Sequence, residues 1–214
     1  FIGSNLAADL SNEDSVTVLD NLHTGSPDNL RGKKVTFVKG DAKGLSGLKE
    51  KYDAVFHLGI YSASPMYRKD PHLVAEAVDG MISVLEYCRR NDSPLVFAST
   101  SSLYNGLPPP HREDAFPLVT DYYTEARYSM ERLGELYFKL YGLSVAAMRF
   151  FSVYGPNELS KGGYANLVTQ FLLGMARGER PVVYGDGTQR RDFIYVDDVV
   201  QALRKALANT GFNA

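Results

Sequence analysis

With 214 residues, 44% hydrophobic and 22% charged, the chain can bury one substantial core, or one domain and part of another, and does not have the composition of a disordered segment. A formal net charge of -2 gives no general attraction to nucleic acid or to an anionic membrane surface, and no apolar run approaches the ~18 residues of a membrane span. The one cysteine, Cys88, excludes an internal disulfide and suits a reducing cytoplasm, while His23, His57, His72 and His111 lack ligand spacing, so no metal site is expected.

The chain opens on Phe1-Ile-Gly-Ser-Asn-Leu6, which reads as the inside of a helix start with no initiator methionine or signal peptide before it, and closes on Phe212-Asn-Ala214 without a final element. It is therefore expected to be a fragment cut at both ends. Short apolar, β-branched runs predict strands at Val16–Asp20, Val35–Val38, Asp53–Leu58, Leu95–Thr100 and Val145–Phe150. Helical periodicity predicts helices over 73–91, 122–141, 164–177 and 197–208, with Cys88 on the apolar face of the first. Strands alternating with helices, each strand a near-continuous apolar run, predict an α/β protein with a parallel sheet covered on both faces. Ligands of such sheets lie beyond the carboxyl ends of the strands. That rule selects Asp20, Asp41, Leu58 to Ile60, Thr100 to Ser102 and Phe150 to Ser152. Pro108-Pro-Pro110 marks a rigid surface loop, and the polar segment Asn157 to Gly163 marks a passage to a substrate-covering part.

The stretch from Asp121 to Tyr137 carries the chemistry. Tyr123, Arg127 and Glu131 recur every four residues and so share one helix face. A phenol has a pKa of ~10, and a fixed cation beside it stabilises the phenolate, which makes a general base. Tyr128 and Arg132 repeat the spacing and compete for the role, and either pair is also compatible with an ordinary amphipathic face. Asp20 closes a strand at the distance from Gly3 where a carboxylate accepts both hydroxyls of an adenosine ribose, which favours NAD over NADP; a turn aspartate before Asn21 explains it equally well. Asp41 carries the same ambiguity, with adenine as the contact. The hydroxyls of Ser99-Thr-Ser-Ser102 sit where they can bind a substrate alcohol, or cap a turn. Tyr184-Gly-Asp-Gly-Thr-Gln-Arg-Arg191 joins a glycine turn to arginines whose forks suit a pyrophosphate.

Together these pieces resemble the NAD-dependent epimerase/dehydratase family of extended short-chain dehydrogenases/reductases, and within it the UDP-glucose 4-epimerase-like enzymes. The resemblance rests on Phe1-Ile-Gly-Ser-Asn5, Leu19-Asp-Asn-Leu22, Phe56-His-Leu-Gly59, Ser99-Thr-Ser-Ser-Leu-Tyr104, Arg149-Phe-Phe-Ser-Val-Tyr-Gly-Pro156 and the run Gly185 to Asp198. It implies a Rossmann-like doubly wound parallel sheet over 1–155, lacking its first strand and most of its glycine loop. Residues 156–214 would be part of a small substrate domain interleaved with it. The family pattern of Tyr, three residues, Lys, three residues, Glu selects Tyr123, Arg127 and Glu131 over Tyr128 and Arg132. The resemblance further implies Tyr123, Arg127 and Thr100 as catalytic residues. Gly3, Asp20, Asn21, Asp41, Ala42, Leu58, Gly59, Ile60, Ser99, Tyr123, Arg127 and Phe150 would meet NAD. Thr100, Ser102, Ser152, Asn166, Leu167, Tyr184 and Arg191 would meet a nucleotide sugar. A cytoplasmic nucleotide-sugar 4-epimerase of the UDP-glucose/UDP-galactose type follows, with a dehydratase or decarboxylase of the same family, or a non-catalytic dinucleotide-binding sensor, as the alternatives, and with no nucleic-acid or membrane partner; family members commonly pair as homodimers through helices that include the tyrosine helix. Dehydratases of the family carry Asp-Glu directly after the threonine, where this chain has Ser101-Ser102. Three departures stand out: Arg127 replaces the family lysine, Ser152 an asparagine that contacts the diphosphate, and Ala77 another asparagine. The missing glycine loop implies weak NAD binding by the chain as written.

Overall fold

The computed structural model describes residues 1–48, 50–208 and 211–213. In chain order the elements are α1 (Ile2–Leu10), β1 (Val16–Asp20), β2 (Val35–Lys39), β3 (Val55–His57), α2 (Ser64–Lys69), α3 (Leu73–Asn91), β4 (Leu95–Thr100), α4 (Tyr122–Tyr141), β5 (Val145–Phe150), β6 (Ser152–Tyr154), α5 (Leu167–Ala176), β7 (Phe193–Tyr195), α6 (Val196–Ala206) and β8 (Phe212–Asn213). Short 3-10 turns cover Pro27–Leu30, Ala42–Gly47, Ser101–Tyr104 and Leu159–Tyr164. Strands β1 and β2 form a two-stranded sheet. The chain divides into two compact units, one of Leu19–Asn21, Val38–Phe150 and Ala202–Ala214, the other of Phe1–Val18, Leu22–Phe37 and Phe151–Gln201.

The larger unit is built on a sheet of order β3-β4-β5-β8. All three pairings are parallel, with Val55 opposite Leu95, Leu95 opposite Val145, and Val145 opposite Phe212. Every residue of β4 is buried, as a central strand covered on both faces requires. Parallel neighbours bring their carboxyl ends to one edge, so His57, Thr100 and Phe150 close their strands on the same side of the sheet. Helices α3 and α4 pack together, and α4 also packs on β4 and β5. The buried face of α3 runs through Leu73, Ala77, Met81, Val84, Leu85 and Cys88, the spacing of one helical stripe. The helix stops at Asp92, which adopts the left-handed conformation at φ 55° that a short polar side chain tolerates. The buried face of α4 contains Thr124, Ala126, Arg127, Met130, Glu131 and Gly134, so two charged side chains lie on a core stripe and require partners. Asp121 starts this helix by accepting a 2.7 Å hydrogen bond from the Thr124 amide, and Gly142, at φ 70°, ends it.

In the smaller unit, β6 pairs parallel with β7, Ser152 opposite Phe193 and Tyr154 opposite Tyr195. Gly155 follows at φ 150°, and a Cβ there would lie 2.6 Å from Val196 Cγ1, so the chain passes α6 at a separation only glycine allows. Glu158 is fully buried and organises the start of α5: its carboxylate accepts from the Asn166 amide at 2.8 Å, from Thr169 Oγ1 at 2.6 Å and from Lys161 Nζ at 3.2 Å.

The sequence-predicted spans of β1, β4, β5, α3 and α4 coincide with the structure. Strand β3 is three residues long where six were expected, because its pairing with β4 runs only from Val55 to His57. The helix expected over 164–177 begins at Leu167, because Asn166 is its N-cap and the preceding turn is 3-10. Helix α2 and strands β6, β7 and β8 were not anticipated, β8 lying where no final element was expected: a six-residue helix and strands of two or three residues are too short to leave a readable period.

Candidate active site

The carboxyl edge of the larger unit's sheet is cross-braced by side chains of α4. Arg127 is 3% exposed, and its guanidinium donates from Nη1 to the Ala98 carbonyl of β4 at 3.1 Å and from Nη2 to the Tyr61 carbonyl, just beyond β3, at 3.0 Å. Its carbon lies 5.1 Å from the centre of the Tyr123 ring, one helical turn earlier, close enough for a cation–π contact. The third nitrogen, Nε, is buried and makes no hydrogen bond among the described residues. One turn further along, Glu131 accepts from Ser99 Oγ, from Arg149 Nε at 3.0 Å and from Arg149 Nη2 at 2.7 Å. The bidentate pair joins α4 to β5, and the Ser99 hydrogen bond joins it to β4. Arg149 continues to the Tyr104 hydroxyl and the Glu113 carbonyl, both at 3.1 Å. Burial disfavours the Arg149 charge, but hydrogen bonds with Glu131 and Tyr104 outweigh it and raise its pKa above the ordinary arginine value.

Thr100, between Ala98–Ser99 and the 3-10 turn, is 4% exposed and its Oγ1 accepts a 3.1 Å hydrogen bond from the Ser102 amide. Its hydroxyl proton therefore remains to be donated. His57 closes β3 as a buried imidazole. Burial, then the neighbouring Arg127 charge, lowers its pKa to about 4, so it is neutral near pH 7. The second Tyr/Arg pair, Tyr128 and Arg132, makes a looser cation–π contact of 5.8 Å, and Tyr128 meets Phe116 edge-on at 6.5 Å. It makes none of the strand-end contacts of the first pair. A phenol beside an immobilised cation, on a helix that Arg127 and Glu131 tie to the hydroxyl-bearing end of β4, suits transfer of a proton to and from an alcohol.

The chain matches the model of the NAD dependent epimerase/dehydratase family over residues 1–213. It belongs to that family. Among curated relatives, a UDP-N-acetyl-alpha-D-glucosaminuronate decarboxylase of Bacillus cytotoxicus is 32% identical, over 97% of this chain and 68% of that protein. A putative UDP-glucose 4-epimerase of Methanocaldococcus jannaschii is 33% identical, over 97% of this chain and 70% of its own length. Among solved structures, a UDP-N-acetylglucosamine 4-epimerase from Methanobrevibacter ruminantium, in complex with UDP-N-acetylmuramic acid, superposes with a TM-score of 0.93 at 30% identity, covering all of this chain and 73% of that one. These likenesses bear out the Rossmann-like α/β fold and NAD as the cofactor. Members of the epimerase/dehydratase family act on nucleotide sugars as epimerases, dehydratases or decarboxylases.

Two features of the epimerase/dehydratase fold in this chain fit the cofactor. Among the described residues, the Nε of Arg127 is an unsatisfied buried donor and a Cβ at Gly59 would meet nothing within 4 Å, so the backbone beyond β3 borders open space there. Leu58 and Ile60 flank Gly59, and the Ile60 amide bonds back to the Leu58 carbonyl at 3.1 Å. Asp20 ends β1 and Asn21 follows it, and the Asp20 carbonyl accepts from the Gly40 amide at 3.1 Å. Asp41 caps the turn that begins at Ala42, accepting from the Lys43 amide at 2.9 Å, while Phe150 sits opposite Thr100. In the smaller unit, Gly3 lies in the first turn of α1 with nothing within 4 Å of its Cβ position. There too, Ser152 pairs with Phe193 in the β6–β7 ladder. Asn166 is engaged at both ends of its amide, Oδ1 accepting from Val168 at 3.1 Å and Nδ2 donating to the Val153 carbonyl at 3.1 Å. Leu167 follows it, 46% exposed; Tyr184 is 83% exposed; and Arg191 donates to the adjacent Arg190 carbonyl at 2.7 Å.

Sequence reasoning read Arg127 as a cation reaching the phenol and the ribose. The structure adds its role as a brace between two strand ends, which an arginine fork performs and a single ammonium centre does not. The Glu131–Arg149–Ser99 junction was not foreseen, although its members stood in recognised motifs. The spacing that placed Glu131 on the Arg127 face was the signal for it.

Proposed function

We propose that this protein is a nucleotide-sugar 4-epimerase of the UDP-glucose/UDP-galactose type, with Tyr123, Arg127 and Thr100 as its catalytic residues. The observation that carries the reading is the fixing of the tyrosine helix to the hydroxyl-bearing end of β4, through Arg127 to Ala98 and Glu131 to Ser99. NAD, when bound, supplies reversible hydride acceptance at the sugar carbon. Tyr123, as its phenolate, takes the proton of the 4-hydroxyl and returns it to the same oxygen when that carbon is reduced on its other face. Thr100 donates its remaining proton to that oxygen, and Arg127 holds its guanidinium against the Tyr123 ring and presents Nε to the cofactor ribose. Asp20, Asn21, Asp41, Ala42, Leu58, Gly59, Ile60, Ser99 and Phe150, with Gly3, are assigned to the cofactor. Ser102, Ser152, Asn166, Leu167, Tyr184 and Arg191 are assigned to the nucleotide sugar.

Ser101-Ser102 after Thr100 supports epimerisation over water elimination, which needs an acid and a base at those two positions. Incubation of the full-length protein with NAD and either UDP-galactose or UDP-glucose, followed by proton NMR, should show interconversion, and Tyr123→Phe should lower the rate about 10³-fold. Substantial turnover by Tyr123→Phe would remove Tyr123 from the mechanism. Loss of CO2 from UDP-glucuronate without any 4-epimer would instead assign a decarboxylase.

A further inference from the structure

We infer that Tyr67 is a positioning residue that holds the Tyr123 phenol in its reactive orientation, an inference that rests on Tyr123 being the proton-transfer group. Tyr67 lies in α2 and has 0% exposure. Its ring meets that of Tyr123 at 5.6 Å between centres and 67° between planes, an edge-to-face contact. The Tyr123 ring therefore has two fixed neighbours, the Tyr67 ring and the Arg127 guanidinium at 5.1 Å. These two share an anchor: the Tyr61 carbonyl accepts from the Tyr67 hydroxyl at 3.3 Å and from Arg127 Nη2 at 3.0 Å.

A helix of six residues has little stability of its own, so α2 stands where its contacts put it. Its first residue, Ser64, donates to Asp121 Oδ2 at 2.6 Å, while Asp121 Oδ1 caps α4 through the Thr124 amide at 2.7 Å. Helix α2 is thus tied to the first turn of α4 at two points, Ser64 to Asp121 and Tyr67 to Tyr123. Burial, opposed by Arg127, pushes the Tyr67 phenol up to about 12, so it remains a neutral donor to Tyr61 and does not itself exchange protons with a substrate. A tyrosine side chain has two torsions to fix, and proton transfer depends steeply on the placement of its oxygen. Tyr67 supplies the packing side of that placement, and Arg127 the charged side.

The test compares wild type, Tyr67→Leu and Tyr67→Phe, each in the full-length protein with NAD, in UDP-galactose turnover and in NMR of protein carrying 13C-labelled tyrosine rings. The Tyr123 resonances are assigned by their loss in Tyr123→Phe. Removing the ring should lower kcat about thirtyfold with KM changed less than about twofold, because orientation rather than binding is lost. Tyr67→Phe, which keeps the ring, should recover most of that loss. In Tyr67→Leu the Tyr123 ring signals should shift as the neighbouring ring current disappears. Unchanged Tyr123 resonances, or a kcat within about threefold of wild type, would overturn the inference. Should Tyr67→Leu not fold, Tyr67→Met carries the same comparison. If the wild type interconverts neither UDP-galactose nor UDP-glucose, the functional reading fails, and the NMR comparison by itself decides whether Tyr67 fixes Tyr123.

Discussion

Replacement of Glu131 by alanine is the perturbation for which the structure gives the firmest magnitude. Side-chain exposure is 4% for Glu131 and 9% for Arg149, so the pair is held in the interior rather than on a solvated face. Among the described residues, the alanine variant leaves the Arg149 guanidinium hydrogen-bonded to the Tyr104 hydroxyl and the Glu113 carbonyl, and leaves the Ser99 hydroxyl without its acceptor. Two neutral acceptors do not compensate a buried charge, and removing one partner of a buried pair costs about 3–5 kcal/mol. The loss is measured as the shift of the urea unfolding midpoint, converted with the slope shared by both proteins. Replacing both residues with methionine should return stability to within about 2 kcal/mol of wild type, because the desolvation cost disappears together with the attraction. A Glu131→Ala cost below about 1 kcal/mol would refute the reasoning, since that is the range of a solvent-screened surface pair.

Two further outcomes follow from particular side chains. The folded-state pKa of His57, about 4, lies below its ordinary 6.5 because burial, then Arg127, disfavours the imidazolium. Between those values the unfolded chain binds the extra proton, so stability rises with pH across the window, and about 3 kcal/mol is lost as pH falls from 6.5 to 4. Unfolding free energies measured at several pH values should show this slope in wild type and a flatter one in His57→Asn; equal slopes would assign the acid sensitivity elsewhere. Gly155→Ala places a methyl 2.6 Å from Val196 Cγ1 at a backbone φ of 150°, and should cost at least about 2 kcal/mol. The thermal midpoint checks it, and adding Val196→Ala should recover the steric part but not the backbone strain.

The alternation of strands and helices was legible in the chain alone, because a fully covered strand such as Leu95–Thr100 leaves a continuous apolar run and α3 leaves a periodic stripe. So was the spacing of Tyr123, Arg127 and Glu131, since a helix turns that spacing into a common face without help from the rest of the fold. Choosing that pair over Tyr128 and Arg132 already needed the family pattern, because helical spacing is the same for both. What each face meets depends on how distant segments are brought together. Tyr61 and Tyr67 come to the tyrosine helix from a loop and a helix too short to be periodic, and Ser64 reaches Asp121 across 57 positions of sequence. Arg149 finds Glu131 because parallel pairing of β4 and β5 sets Ser99 opposite Arg149 beneath α4, a register that depends on the ladder and not on either strand's composition. Arg127 shows the division most clearly: its charge was legible from the chain, whereas its service as a brace between Ala98 and Tyr61 required two strand ends to be brought within reach of one guanidinium.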